Sequence, residues 1–225
     1  MSATTSARQL GLPLPYAPRY AAADFMAAES NEAARAWLAR VEAWPERRLA
    51  LWGEAGTGKT HLLHLWAEAN GAALLAGSAL GAPRSAPKRA LAIDAADACA
   101  DAAALLHVLN GAAEAGCPVL LAGRLPPARW RVDLPDLASR LRAMPAVGIG
   151  PAEDELLRAL LARLLAERQL AVPAAVQQWL LLRLPRAPGA VCEAVARLDV
   201  AALAAGGGIT RELAGAELAD LLGNA

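Results

Sequence analysis

The apolar positions along this chain follow two alternating periods. From Asn31 to Trp44, "NEAARAWLARVEAW", they recur at helical spacing, and Ser30 or Asn31 is placed to cap the helix this predicts. "RRLALW" (47–52) is a short apolar run that stops at a glycine, the pattern of a buried strand. Helical spacing returns over "KTHLLHLWAEAN" (59–70), with Gly71 as its stop. "AALLA" (72–76) predicts a second strand and "GSALGAPRSAPKR" (77–89), rich in Gly, Pro and Ser, a loop. "ALAID" (90–94) predicts a third strand, "AADACADAAALLHVLNGAAEA" a helix, "PVLLAG" (118–123) a fourth strand and "PAVGIG" (145–150) a fifth.

Strands that alternate with helices imply right-handed βαβ units and a parallel sheet. From Pro151 the strand pattern vanishes. "AEDELLRALLARLLAERQL" (152–170) predicts a helix whose acidic first turn suits the positive end of the helix dipole. "PAAVQQWLLLRL", "GAVCEAVARLDVAALAAG" and "ITRELAGAELADLL" follow, making four helices. The expected fold is α/β: a tail over residues 1–18, a five-stranded parallel core over 19–150 and a small all-helical domain over 151–225.

Composition narrows the picture. The chain has 225 residues and is 56% hydrophobic, but much of that is alanine, which favours helices more than it fills cores. Aromatics are 4%, so the six tryptophans supply packing bulk. Residues 1–150 carry 15 basic against 13 acidic side chains, and residues 151–225 carry 7 against 9, so neither part has the basic excess of a duplex-DNA binder. Cys99, Cys117 and Cys192 show no metal-ligand spacing and read as reduced thiols. No leader-like apolar core opens the chain and no apolar stretch reaches membrane-spanning length, so a cytoplasmic protein without membrane contact is expected.

The sharpest chemistry is "GEAGTGKT", Gly53 to Thr60, which fits G-x-x-x-x-G-K-[ST] between a predicted strand and a predicted helix. Gly53, Gly56 and Gly58 let the backbone curl so that the amides of this stretch, Glu54, Ala55 and Thr57 included, face a phosphate. The helix that follows turns its positive end to the same anion. Lys59 is placed for the terminal phosphates, and the Thr60 hydroxyl for Mg²⁺. Asp94 ends an apolar strand at the sheet's carboxyl edge, where a second Mg²⁺ group belongs; it also suits the N-cap of the helix predicted after it. Ala95 stands where many such ATPases carry a water-orienting acid, which argues against fast hydrolysis. Asp97, three residues past Asp94, is placed to substitute in part and to support the start of that helix.

These residues carry a family resemblance. "WGEAGTGKTHLLHLW" resembles the AAA+ domain of the DnaA family, and "LLAGRLPPARW" (120–130) the segment after that family's fourth strand. "LPDLASRLRA" (134–143) resembles its arginine-finger box, and the four-helix remainder its lid. No helix-turn-helix module for origin DNA follows, which is the pattern of the Hda branch of the DnaA/Hda family. The resemblance implies an AAA+ regulator of replication initiation that holds ADP or ATP with Mg²⁺ and stimulates hydrolysis of DnaA-bound ATP. Arg140 matches the finger that acts in trans, and Arg142 suits that role less.

The phosphate-binding set carried over is Gly53, Glu54, Ala55, Gly56, Thr57, Gly58, Lys59, Thr60, His61 and Asp94, with Thr60 and Asp94 for Mg²⁺. The family's polar sensor after the fourth strand is replaced by Ala122 and Gly123, with Arg124 the nearest polar group. In the lid, Gly189 stands at the sensor-arginine position and Arg186 precedes it by three. With Ala95, these departures imply weak or no intrinsic ATPase activity.

In the tail, "QLGLPL" resembles the peptide by which Hda proteins bind the DNA polymerase III sliding clamp, with Gln9, Leu10, Leu12, Pro13 and Leu14 as its contacts. Prolines limit the conformations lost when such a peptide docks. The implied partners are DnaA and the clamp's beta subunit, without sequence-specific DNA contact; self-association is compatible with this. A helicase-loader-like ATPase acting on single-stranded DNA is the competing expectation, "RWR" (129–131) being its aromatic-basic feature. A small-molecule kinase would leave the finger box unexplained. His61 and His64 lack the Cys or carboxylate that a metal site needs, and His107 is distant in sequence.

Overall fold

The computed structural model describes residues 20–81, 87–205 and 208–223. Gln9, Leu10, Leu12, Pro13 and Leu14 lie outside the described residues. The chain divides into two compact units, one over Arg19–Ala152 and one that includes Glu153–Ala225.

The first unit is built on five parallel strands in the order β2-β3-β4-β1-β5. They are β1 (Arg48–Trp52), β2 (Ala73–Ala76), β3 (Leu91–Asp94), β4 (Val119–Gly123) and β5 (Ala146–Gly148). The helices of this unit are α1 (Glu29–Leu38), α2 (Lys59–Ala69), α3 (Ala102–Glu114) and α4 (Pro135–Ala143). Strand alternation divides the core into two faces. Leu49, Leu51, Leu120, Ala122 and Ala92 point to one side, where Leu62, Leu63 and Trp66 of α2 cover them. Ala50, Val119, Leu121, Leu91 and Ile93 point to the other, under Leu105 and Leu109 of α3 and Leu137 and Leu141 of α4. Each fully buried leucine contributes about 1.5–3 kcal/mol of transfer free energy, so the sheet holds its register through both faces. Trp44 and Trp66 stack with ring centroids 5.3 Å apart, giving two of the tryptophans the packing role expected of them.

The bounds of the first helix and the start of α3 differ from the expectation. The first helix begins at Glu29, with Asn31 inside it; Asn31 Oδ1 accepts from Ala28 N (3.2 Å), and its Nδ2 donates to Met26 O (3.0 Å). This helix stops at Leu38, and a 3-10 turn over Val41–Ala43 leads to Pro45, which disfavours helical geometry at Trp44. The helix expected from residue 95 begins at Ala102. Ala95 leaves β3 in a left-handed conformation (φ 47°), a 3-10 turn spans Ala96–Ala98, and Asp101 Oδ1 caps α3 by accepting from Ala104 N at 2.8 Å. Asp101 therefore takes the capping role assigned to Asp94, and Asp97 lies outside the helix.

The second unit contains α5 (Asp154–Glu167), α6 (Ala174–Arg183), α7 (Pro188–Ala205) and α8 (Arg211–Glu217). Its core is aliphatic: Leu157, Leu161, Leu180, Val191, Val195 and Leu198 are all buried. Arg197 on α7 holds both carboxylate oxygens of Asp220, at 2.7 and 3.0 Å, and also donates to Glu217 O, which fastens the end of α8 to α7. Among the described residues, no helix is long and apolar enough to cross a membrane.

Candidate nucleotide-binding site

Parallel strands place the ends of β1, β3 and β4 along one edge. Trp52, the last residue of β1, pairs with Gly123, the last of β4. Gly53 therefore leaves the sheet beside β4 and begins the turn into α2. A side chain at Gly53 has no room: a β-carbon there would lie 2.7 Å from Ile149 O, a backbone atom. Gly58, the residue before α2, has φ 99°, a conformation that side chains rarely adopt. These two glycines set the curvature of Gly53–Thr60. Thr57 Oγ1 donates to Glu54 O (3.0 Å) and closes the turn from within.

Lys59 is the first residue of α2, and its ammonium donates to Gly53 O (2.8 Å) and Glu54 O (2.7 Å). Burial lowers its pKa; Asp94, Asp97 and Glu54 act in the opposite direction, and Arg124 adds to the lowering. Thr60 Oγ1 donates to Asp94 Oδ2 at 2.9 Å across 34 residues of sequence. Asp94 Oδ1 accepts from Ala95 N at 2.9 Å, which fixes the carboxylate plane. The two residues predicted for Mg²⁺ are thus brought together, while Ala95 carries no acid beside them.

The glycine loop, the N-terminal end of α2, the ammonium and the hydroxyl–carboxylate pair fit a magnesium nucleotide phosphate by curvature and by donor chemistry. Lys59 and the loop amides would hold phosphate oxygens, and Thr60 and Asp94 would hold the metal.

His61 turns toward the N-terminal side of the unit. Its Nε2–H donates to Ala21 O (2.9 Å), and its ring meets Tyr20 and Phe25 edge-on, with centroids 5.5 and 5.2 Å away. His64 stacks on Tyr20 at 4.1 Å, and burial lowers its pKa. Among the described residues, no cluster of His, Cys, Asp or Glu could hold a metal ion by itself.

Beyond β4, Asp97 Oδ2 accepts from Arg124 N at 2.7 Å. Gly123 is shaped by its neighbours: a β-carbon there would lie 2.7 Å from the Trp130 ring and 3.2 Å from Asp97 Cγ. Trp130 is itself held by Nε1–H donation to Leu125 O (2.7 Å). Sequence reading missed this cluster, because Asp97 and Trp130 are 33 positions apart and read separately, Asp97 as a partial substitute for the water-orienting acid at the start of a helix and Trp130 as part of the aromatic-basic stretch 129–131; the glycine in place of a polar sensor was the available signal.

Arg140 lies in the last turn of α4, half-buried, with its Nε donating to Asp136 Oδ1 at 3.3 Å one helical turn back. Arg142 is exposed on the same helix. In the second unit, Gly189 is the second residue of α7, and Arg186 is exposed and pairs with Asp154 Oδ1 at 2.7 Å.

This arrangement of strands and helices has the fold of DnaA domain III and resembles that of RuvB. Domain III of the replication initiation protein DnaA from Thermotoga maritima superposes with a TM-score of 0.73 at 18% identity, covering 94% of this chain and 100% of that one. DnaA from Aquifex aeolicus, solved with AMPPCP bound, gives a TM-score of 0.62 at 18% identity over 79% of this chain and 63% of its own. A RuvB variant from Thermotoga maritima gives 0.63 at 16% identity over 85% of this chain and 68% of its own. No protein-family model matches the sequence, and no curated protein matches it.

Proposed function

We propose that this chain is a nucleotide-binding AAA+ regulator of replication initiation of the Hda type. In this reading it holds ADP or ATP with Mg²⁺ on the Gly53–Thr60 loop. It engages the sliding clamp through Gln9, Leu10, Leu12, Pro13 and Leu14, and stimulates hydrolysis of DnaA-bound ATP by offering Arg140 in trans. The observation that carries the reading is the Thr60–Asp94 hydrogen bond at the mouth of the glycine loop, set in a fold that covers all of a DnaA domain III. The bound metal would supply charge neutralisation on the phosphates. This chain's own residues would orient them through Lys59 and the loop amides.

The setting of Arg140 supports a role toward a partner. Its only described tie is an exposed pair one turn apart, of a kind that contributes about 0.3–0.5 kcal/mol. Asp136 therefore orients the guanidinium without holding it, and little is lost when the side chain leaves for a phosphate on another molecule. Ala95 supports slow hydrolysis by the chain alone, since no carboxylate stands at that position to orient water.

The test is hydrolysis of DnaA-bound ATP with clamp loaded on DNA. Wild-type protein should accelerate it. Arg140→Ala should remove the acceleration, up to the roughly 10³–10⁵-fold that such fingers contribute. Deletion of residues 1–15 should remove it only where the clamp is required. Absence of stimulation by the wild-type chain, together with binding of single-stranded DNA, would replace this reading with the helicase-loader one.

A further inference from the structure

In the helical unit, one tryptophan carries two arginines. Trp179 sits on α6, and the Arg183 guanidinium one turn later lies over its ring, 5.2 Å from the centroid. Arg211, the first residue of α8, lies over the same ring, also at 5.2 Å. The indole reaches α8 itself: a β-carbon at Gly215 would lie 3.7 Å from Trp179 Cη2. The two cations are therefore at most twice 5.2 Å apart, and they repel each other. Among the described residues neither is paired with a carboxylate, Glu212 beside Arg211 included. Elsewhere in the unit Arg163, Arg186 and Arg197 each have such a partner. Trp179 Nε1–H is buried and has no acceptor among the described residues. A leucine or phenylalanine would fill the space without leaving a donor unmet. What the indole adds is the strongest ring face for a cation. Leu182, three residues after Trp179 and so on the same face of α6, is 82% exposed.

We infer that this face of α6 and α8 is a docking site for an acidic peptide segment of a partner protein, with carboxylates on Arg183 and Arg211 and an apolar side chain on Leu182. It uses none of the glycine-loop residues and does not depend on the nucleotide reading. A guanidinium held over a ring keeps N–H groups at its edge, and their fork matches a carboxylate. Because the indole already holds both arginines, less side-chain freedom is lost when a partner docks. A carboxylate placed between them also offsets their mutual repulsion. The charge of the unit favours a short acidic segment over a nucleic acid. Residues 151–225 carry 7 basic against 9 acidic side chains, so a polyanion that extends past the arginine pair meets net repulsion. Leu182 points the same way, since a phosphate backbone leaves it uncovered.

The test titrates the full chain with a short acetylated peptide of glutamates around one leucine. It follows by NMR the Nε–H resonances of Arg183 and Arg211 and the indole N–H of Trp179, assigned by its loss in Trp179→Phe. The peptide should shift all three, and its affinity should fall as salt rises. The glutamine version of the peptide should bind about tenfold more weakly, the size of one charge-assisted hydrogen bond lost. This comparison needs no protein variant, so it decides the matter even if a variant folds poorly. Arg183→Gln combined with Arg211→Gln should weaken the glutamate peptide by about the same factor. Equal binding of the two peptides overturns the inference, as does the absence of any shift at these groups. A single-stranded oligonucleotide that shifts the same resonances at lower concentration than the peptide overturns it in favour of a phosphate site. Self-association of the wild-type chain in sedimentation that Arg183→Gln abolishes overturns it in favour of a contact between copies of this chain.

Discussion

At the carboxyl edge of the sheet, Lys59, Thr60 and Asp94 are each fixed by partners within 2.9 Å, two of them backbone groups of the loop itself. In the helical unit the corresponding candidate, Arg186, is an exposed side chain with one described partner, the surface carboxylate of Asp154. The two regions are equally well packed beneath these groups. Leu49, Leu51, Leu120 and Leu121 are fully excluded from solvent in the first, as are Leu180 and Leu198 in the second. Firmness of a functional side chain is therefore not inherited from the core below it. It comes from backbone groups that converge on it, which the strand–turn–helix junction supplies and the exposed α6–α7 connection at Arg186 does not.

The largest effect should come from breaking the packing that the two regions share. Leu198→Ala empties a fully buried position on α7 and should cost about 2–5 kcal/mol in chemical denaturation. A loss below 1 kcal/mol would mean that the helical unit is looser than its buried leucines indicate, and the comparison of cores would fail. Next is Gly53→Ala. The added methyl would meet the Ile149 carbonyl at 2.7 Å, so β5 or the loop must shift. The expected cost is about 1–3 kcal/mol of stability. Because the shift falls on the loop, affinity for a nucleotide should drop more than stability alone explains. Fluorescence titration alongside denaturation separates the two. Unchanged affinity would show that the curvature set at Gly53 is not what shapes the site.

The same contrast explains what could be read in the sequence. All five strands and the helices α2, α3, α5, α6, α7 and α8 were visible in apolar periodicity, apart from the start of α3; α4 was not, its stretch being read only through its resemblance to an arginine-finger box. The glycine loop was visible because its spacing is dictated by backbone geometry at a strand end. Thr60 and Asp94 could be paired for the same reason: each is fixed to the end of an element whose partner in the sheet is known. The start of α3 was misplaced because alanine-rich sequence is helix-compatible almost anywhere. The deciding features were the left-handed Ala95 and the Asp101 cap, neither of which interrupts an apolar pattern. Trp130 against Gly123 was hidden because it is a long-range contact between a turn and a strand end. Arg140 was legible only through the resemblance of its surroundings, since an arginine paired one turn back with an aspartate is otherwise an ordinary helix-surface feature.

The smallest expected effect on stability makes the sharpest use of the comparison. Arg186→Ala removes an exposed ion pair, and with more than half of each side chain in solvent the loss should be about 0–1 kcal/mol, within the error of most denaturation experiments. Asp154→Asn should do as little, because it breaks the same pair from the other side. The two variants part company if Arg186 takes the nucleotide-sensing role that the resemblance to the DnaA family implies for this stretch. Arg186→Ala would then weaken nucleotide binding by removing a cation, whereas Asp154→Asn would leave the guanidinium unengaged and strengthen binding or leave it unchanged. Equal nucleotide affinities in both variants and the wild type would assign Arg186 to the surface of its own unit. Lys59, Thr60 and the loop amides would then be left to supply the binding, and the contrast between a firmly held site and a loosely held arginine would become a contrast between function and none.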